Sequence, residues 1–138
     1  MIDEGHIIGN HSYHHHSFAP IRIEKVYDEI MQLDALLLDQ FQYKMTLVRP
    51  PKGEFNEQSL ALSNLLGYQT VLWSYAYYDY NVADQPDPTS ALKKNLDNAH
   101  PGAIYLLHSV SDTNTQILSD LIEGLRNLNY EVSRYDLK

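Results

Sequence analysis

At 138 residues the chain is long enough for one domain with a real core and too short for two ordinary ones. Hydrophobic residues at 43% and charged residues at 20% exclude a disordered chain, and a formal charge of −8 without any Lys/Arg cluster excludes a nucleic-acid backbone as partner. The absence of cysteine excludes disulfides and thiolate chemistry, and no apolar run approaches the ~20 residues of a membrane span. No signal-peptide pattern opens the chain, so any export signal is expected outside it.

In chain order, "GHIIGNH" predicts a short buried strand ending at a histidine tract. From Ile21 the period changes: Ile23, Val26, Tyr27, Ile30, Leu33 and Leu37 fall on one stripe, with Glu24, Lys25, Asp28, Glu29 and Gln32 off it, which predicts an amphipathic helix. "MTLVRPP" reads as a strand stopped by prolines, and "NEQSLALSNLLGY" as a helix with Gly67 as its left-handed C-terminal cap. "QTVLW" is the next strand, residues 77–90 a long loop, Ala91–Asn98 a short helix and "GAIYLLH" an apolar strand. A helix carrying Ile117, Leu118, Leu121, Ile122, Leu125 and Leu128 and a strand "YEVSRY" close the chain. Alternating helices and apolar strands predict an α/β fold whose parallel sheet is covered by helices, in one domain over residues 1–138.

In such folds functional groups follow the C-terminal ends of strands. His11 follows the first strand, Arg49 the second, Trp73 to Asp79 the third and His108 the fourth, so these ends are expected to converge on one rim. His11 and His15, four apart, would share a face of a helical turn at a spacing that suits zinc, with His14 and His16 pointing elsewhere and exposed. On spacing alone a solvated polar turn, with Ser12 as its cap, explains the tract equally well. His108 at a strand end reads evenly as a hydrogen-bonded core residue or a catalyst. Standing alone, Arg49 reads as a surface arginine and Asp79 as a loop carboxylate; His6 and His100 are assigned to structure.

Taken together and in order, "NHSYHH", "RPPKG", "WSYAYYDY" and "YLLH" resemble the second to fifth motifs of the polysaccharide deacetylase family, the metal-dependent carbohydrate de-N-acetylases. "GHIIGNHS", "RPP" followed by a basic residue and glycine, and "HPGAIYLLH" resemble the branch that deacetylates muramic acid residues of peptidoglycan on the way to muramic δ-lactam in spore-forming bacteria. The resemblance implies a distorted (β/α) barrel, of which this chain would be the C-terminal portion, acting on a glycan at the cell wall or outside the cell. It implies Zn²⁺ or another divalent cation on His11 and His15, His108 as general acid, and Leu106 in the acetyl-methyl pocket. Arg49 would orient the catalytic base with Asp79 as its ion-pair partner, the Lys52 N–H would be an oxyanion donor, and Trp73 an aromatic wall.

Lys52 stands where many members have an aromatic residue and Tyr80 where many have tryptophan, which gives the groove a different stacking surface. The family's first motif, paired aspartates that supply the base and a third metal ligand, is expected upstream of Met1; Asp3, at the end of a helix, is no replacement. Two other readings stay open: an inactive, truncated deacetylase remnant that binds metal or glycan, and an unrelated metal-dependent hydrolase such as a phosphoesterase. Uncovered barrel edges predict self-association.

Overall fold

The computed structural model describes residues 1–135, which fall into two units, Met1–Leu72 and one beginning at Trp73. The first unit opens with a 3-10 turn, Ile2–Glu4, followed by an extended segment through Asn10. Helix α1 (Ile23–Phe41) and helix α2 (Glu57–Leu65) flank two short parallel strands, β1 (Leu47–Val48) and β2 (Gln69–Thr70). Helix α1 ends at Gln42, whose backbone is left-handed (φ 52°) and whose N–H bonds the Leu38 carbonyl at 3.0 Å. Helix α2 begins with a reciprocal box in which Asn56 and Ser59 each cap the other's backbone, and Gly67 follows it at φ 85° as the spacing predicts.

Phe18, Val26, Ile30, Met45, Val48 and Tyr68 form the core of this unit. Each such side chain removed from water contributes about 1.5–3 kcal/mol, which is why α1 presents Val26 and Ile30 inward. The stripe is rotated from the one predicted. Tyr27 is 45% exposed, whereas Glu29, expected on the polar face, is wholly buried. The expected first strand is reduced to a single parallel bridge at Asn10, whose N–H bonds the Leu47 carbonyl at 2.7 Å. Its neighbour β1 is itself only two residues long, because Pro50 and Pro51 follow Arg49 and have no N–H to continue a ladder.

In the second unit β3 (Tyr75–Ala76) runs parallel to β4 (Tyr105–Leu106), and helices α3 (Pro88–Asp97) and α4 (Asp112–Asn127) complete it. Helix α3 starts three residues before the predicted Ala91, with Asp87 accepting from the Ser90 N–H and Pro88 in the first turn. Ser111 caps α4. The core here is Tyr75, Tyr77, Ala91 and Ile117, while Leu118 and Leu128, read as part of the apolar stripe, are about half exposed. Strand β3 falls between the expected strand "QTVLW" and the loop expected from residue 77, in residues to which the sequence assigns no element. The strand expected over residues 130–135 is a correction: the described residues form none there, and Val132 is 44% exposed.

Candidate functional site

The histidine tract forms a loop rather than the predicted helical turn. Ser12 (φ 66°) and His15 (φ 60°) both take the left-handed backbone that non-glycine residues seldom adopt. This brings the His11 and His15 rings together edge to face, centroids 4.9 Å apart. His11 Nδ1 lies 2.6 Å from the Arg49 carbonyl oxygen. A carbonyl only accepts, so Nδ1 carries the proton and Nε2 keeps its lone pair, the tautomer a metal needs. The two imidazoles therefore fit a divalent cation by donor chemistry and by proximity.

The loop is held from beneath by a residue that the sequence placed on the wrong face. Asn10 Nδ2 donates to the Ile30 carbonyl at 2.9 Å, and Asn10 Oδ1 accepts from the Ser12 N–H at 2.9 Å. The Glu29 carboxylate accepts from the His14 N–H at 2.7 Å through Oε2, and its Oε1 faces Nδ1 of His14 at 3.0 Å and of His16 at 2.8 Å. Burial alone would raise the Glu29 carboxyl, but the His14 N–H, the two rings and Lys25 outweigh it and bring it down to about 2. His14 and His16 are half exposed, as expected, but point at Glu29. Glu29 falls off the apolar stripe in sequence, and its i,i+4 spacing from Lys25, 3.3 Å away, is that of an ordinary surface pair, so nothing local marks this role.

Arg49 leaves β1, and its N–H bonds the Asn10 carbonyl at 2.9 Å, so its backbone is pinned to the histidine segment on both sides. Lys52 sits in a 3-10 turn, Pro51–Gly53, with a left-handed backbone (φ 59°). The turn's hydrogen bonds run from Gly53 to Pro50 and from Glu54 to Pro51 and leave the Lys52 N–H out.

In the second unit Asp79 is wholly buried. Its Oδ1 faces His108 Nδ1 at 2.7 Å, and its Oδ2 accepts from the His108 N–H at 2.7 Å and from Asn114 Nδ2 at 2.6 Å. Asn114 Oδ1 in turn accepts from the Tyr77 hydroxyl. The carboxylate expected to serve Arg49 is thus, within its own unit, the anchor of His108; Asn114, one turn into α4, completes the anchor and carried no sequence signal. Tyr80 packs edge to face on the His108 ring, centroids 5.9 Å apart. Leu106 is buried in β4 and Trp73 is half buried. His100 spans Asn98 and Ser74, in keeping with a structural role.

A family model described as polysaccharide deacetylase matches residues 1–71, just over half of the chain. The chain belongs to the polysaccharide deacetylase family. Among curated members of that family it is 41% identical over 142 residues to the peptidoglycan-N-acetylmuramic acid deacetylase PdaA of Bacillus subtilis, a match that covers 99% of this chain and 52% of the relative. It is 30% identical to the peptidoglycan-N-acetylglucosamine deacetylase PgdA of Listeria monocytogenes over 98% of this chain and 28% of that protein. The chain therefore spans about half, or less, of the length of these relatives. The solved structure of Bacillus subtilis PdaA, a family 4 carbohydrate esterase, superposes with a TM-score of 0.88 at 39% identity, covering 95% of this chain and 56% of that one. A family 4 pseudoenzyme from Bacillus anthracis superposes at 0.86 with 24% identity over 96% of this chain and 46% of that one, which speaks to the fold alone. The α/β class, with its parallel strands and helices, is the fold these family members share.

Proposed function

We propose that residues 1–138 are part of one catalytic domain that removes the acetyl group from an N-acetylated glycan, and that the glycan is peptidoglycan carrying N-acetylmuramic acid. The observation that carries this reading is the Asp79–His108 pair, 2.7 Å apart and anchored by Asn114. A carboxylate on Nδ1 leaves Nε2, on a side chain 35% exposed, as the position that would hand a proton to a leaving amine. Similarity to PdaA along 99% of the chain supports the choice of sugar, and with it a muramic δ-lactam product line and action at the cell wall or outside the cell.

His11 and His15 would hold the cation, Zn²⁺ being the natural occupant of an imidazole pair. When bound, it supplies Lewis-acid polarisation of the acetamide and a lowered pKa for water. Arg49 orients the base, an aspartate of the family's first motif, and Asp79 anchors His108. The Lys52 N–H receives charge that develops on the acetamide oxygen. Leu106 lines the space for the acetyl methyl, and Trp73 walls the groove. His108 gives its Nε2 proton to the departing nitrogen, and the products are acetate and a glycan with a free amine.

The test is acetate release from peptidoglycan and from N-acetylglucosamine oligomers by protein that carries the paired aspartates ahead of residue 1, with and without His108→Ala. Loss of roughly 10²–10⁴-fold in the variant is expected. Glycan binding with no acetate release from either would instead identify an inactive remnant. Light scattering tests the expected self-association of the 138-residue chain. Among the described residues no helix is long and apolar enough to cross a membrane.

A further inference from the structure

Beside the His11–His15 pair lies a second set of donors that the deacetylase reading does not use. A ring nitrogen of His14, a ring nitrogen of His16 and a carboxylate oxygen of Glu29 all lie within 4.8 Å of one another, and Glu29 Oε1 faces Nδ1 of both rings. We propose that His14, His16 and Glu29 form a second divalent-cation site, and that it, rather than His11 with His15, is the tighter zinc site of this chain.

The donor set is two imidazoles and one carboxylate, a combination that zinc takes readily with a fourth position left to water. Among the described residues no carboxylate joins His11 and His15 in a three-donor group, so that pair starts with fewer ligands than His14, His16 and Glu29. Three donors arranged tetrahedrally at ~2.0–2.1 Å from zinc stand roughly 3.3 Å apart. The Glu29 oxygen is now 3.0 Å from one ring nitrogen and 2.8 Å from the other, a few tenths of an ångström inside that span, and the two ring nitrogens would close to it from within 4.8 Å of each other. The rings are stacked, centroids 5.6 Å apart, and about half exposed, so both the ion and its water have access from solvent.

Glu29 itself cannot drift, because it is wholly buried and its second oxygen is tied to the His14 N–H at 2.7 Å. Lys25 Nζ stands 3.3 Å from the ligating oxygen and supplies its positive charge when no metal is there; it lies on a flexible, 42% exposed side chain that an ion can displace. On binding, each ring moves its proton from Nδ1 to Nε2 and the ion takes the Nδ1 lone pair. Since residues 14 and 16 flank His15, an ion here would also stiffen the left-handed backbone that presents His15 to the first pair.

The experiment is calorimetric titration of the 138-residue chain with Zn²⁺ alone, comparing His14→Ala, His16→Ala, Glu29→Gln, Lys25→Met and His11→Ala variants. The tightest site should weaken beyond the roughly 10–100-fold typical of outer-shell losses in the first three. It should strengthen several-fold in Lys25→Met, where a competing cation is gone, and stay as in the parent in His11→Ala. If Glu29→Gln fails to fold, the two histidine variants carry the test, since their rings lie half in solvent. Long-range ¹⁵N–¹H spectra give an independent readout: the site binds through Nδ1 of His14 and His16, whereas His11 can bind only through Nε2. Loss of the tightest site in His11→Ala with none in His14→Ala and His16→Ala, Nδ1 atoms that stay protonated at saturating zinc, or no zinc uptake by the chain, would each overturn the proposal.

Discussion

Asp79 grips His108 at two points, ring and backbone, with 2.7 Å between Asp79 Oδ1 and His108 Nδ1 and 2.7 Å between Asp79 Oδ2 and the His108 N–H. The ring can neither flip nor exchange its tautomer without breaking a bond to a buried anion. In Asp79→Asn an amide N–H can face Nδ1, which stabilises the wrong tautomer while the packing is kept. Acetate release by protein with the complete site should fall by roughly 10²–10⁴-fold in kcat with KM little changed. Steady-state kinetics of this one variant checks it.

His11 is expected to be found with its proton on Nδ1, because the Arg49 carbonyl 2.6 Å away can only accept. Once His14 and His16 are replaced, the zinc affinity left in the chain should be weak and should vanish in His11→Ala or His15→Ala. Calorimetry on the His14→Ala, His16→Ala double variant with and without the further change reads both statements.

Ile30 is wholly buried in the first core. Truncation to alanine removes its transfer free energy and leaves a cavity, so Ile30→Ala should cost about 2–5 kcal/mol in a denaturant melt.

Gly124 in α4 faces Leu96 of α3: a Cβ built there would lie 2.7 Å from Leu96 Cδ2 and 2.9 Å from Cδ1. Gly124→Ala regains about 1 kcal/mol of helix propensity but must push the end of a leucine aside, so the two effects should nearly cancel. Gly124→Val adds volume the α3–α4 contact cannot absorb and should destabilise by roughly 1–3 kcal/mol. Thermal melts of the two variants, run side by side, separate these outcomes.

Burial pushes the Tyr75 phenol from 10.0 up to about 12, with Tyr105, Tyr77 and Asp79 adding to the shift. A raised value means that the folded state favours the protonated phenol. Its contribution is full below pH 10 and is lost as pH climbs through about 12. Stability should therefore decline across that window, and Tyr75→Phe, which has nothing to ionise, should flatten the decline in chemical melts recorded at successive pH values.

Much of this was legible in the sequence where local chemistry decides. Proline ends β1, Asn56 with Ser59 starts α2, Gly67 follows α2, and each does what its backbone preference dictates. His11 and His15 are expected as a pair and their rings are in contact, whereas Asp79 is expected to serve Arg49 and lies instead at hydrogen-bond distance from His108 within its own unit. What could not be read depends on partners distant in sequence. Glu29 is buried only because the loop 15 residues earlier folds onto it, and Asn114 matters only because Asp79 lies 35 residues upstream. Two-residue strands such as β3 carry too few side chains to show a period, and the alternation in residues 130–135 suggested a strand where the described residues form none.

The left-handed Ser12 and His15 make the contact between the His11 and His15 rings a tertiary property rather than a local one. A peptide cut from this tract would lose Glu29, the Arg49 carbonyl and the Asn10 bridge that impose those angles. In trifluoroethanol, which enriches helix beyond native content, its histidines would meet by ordinary i,i+4 spacing instead. Zinc bound by such a peptide would then report on a geometry the folded chain does not use, and peptide affinities for this motif would rank variants in the wrong order.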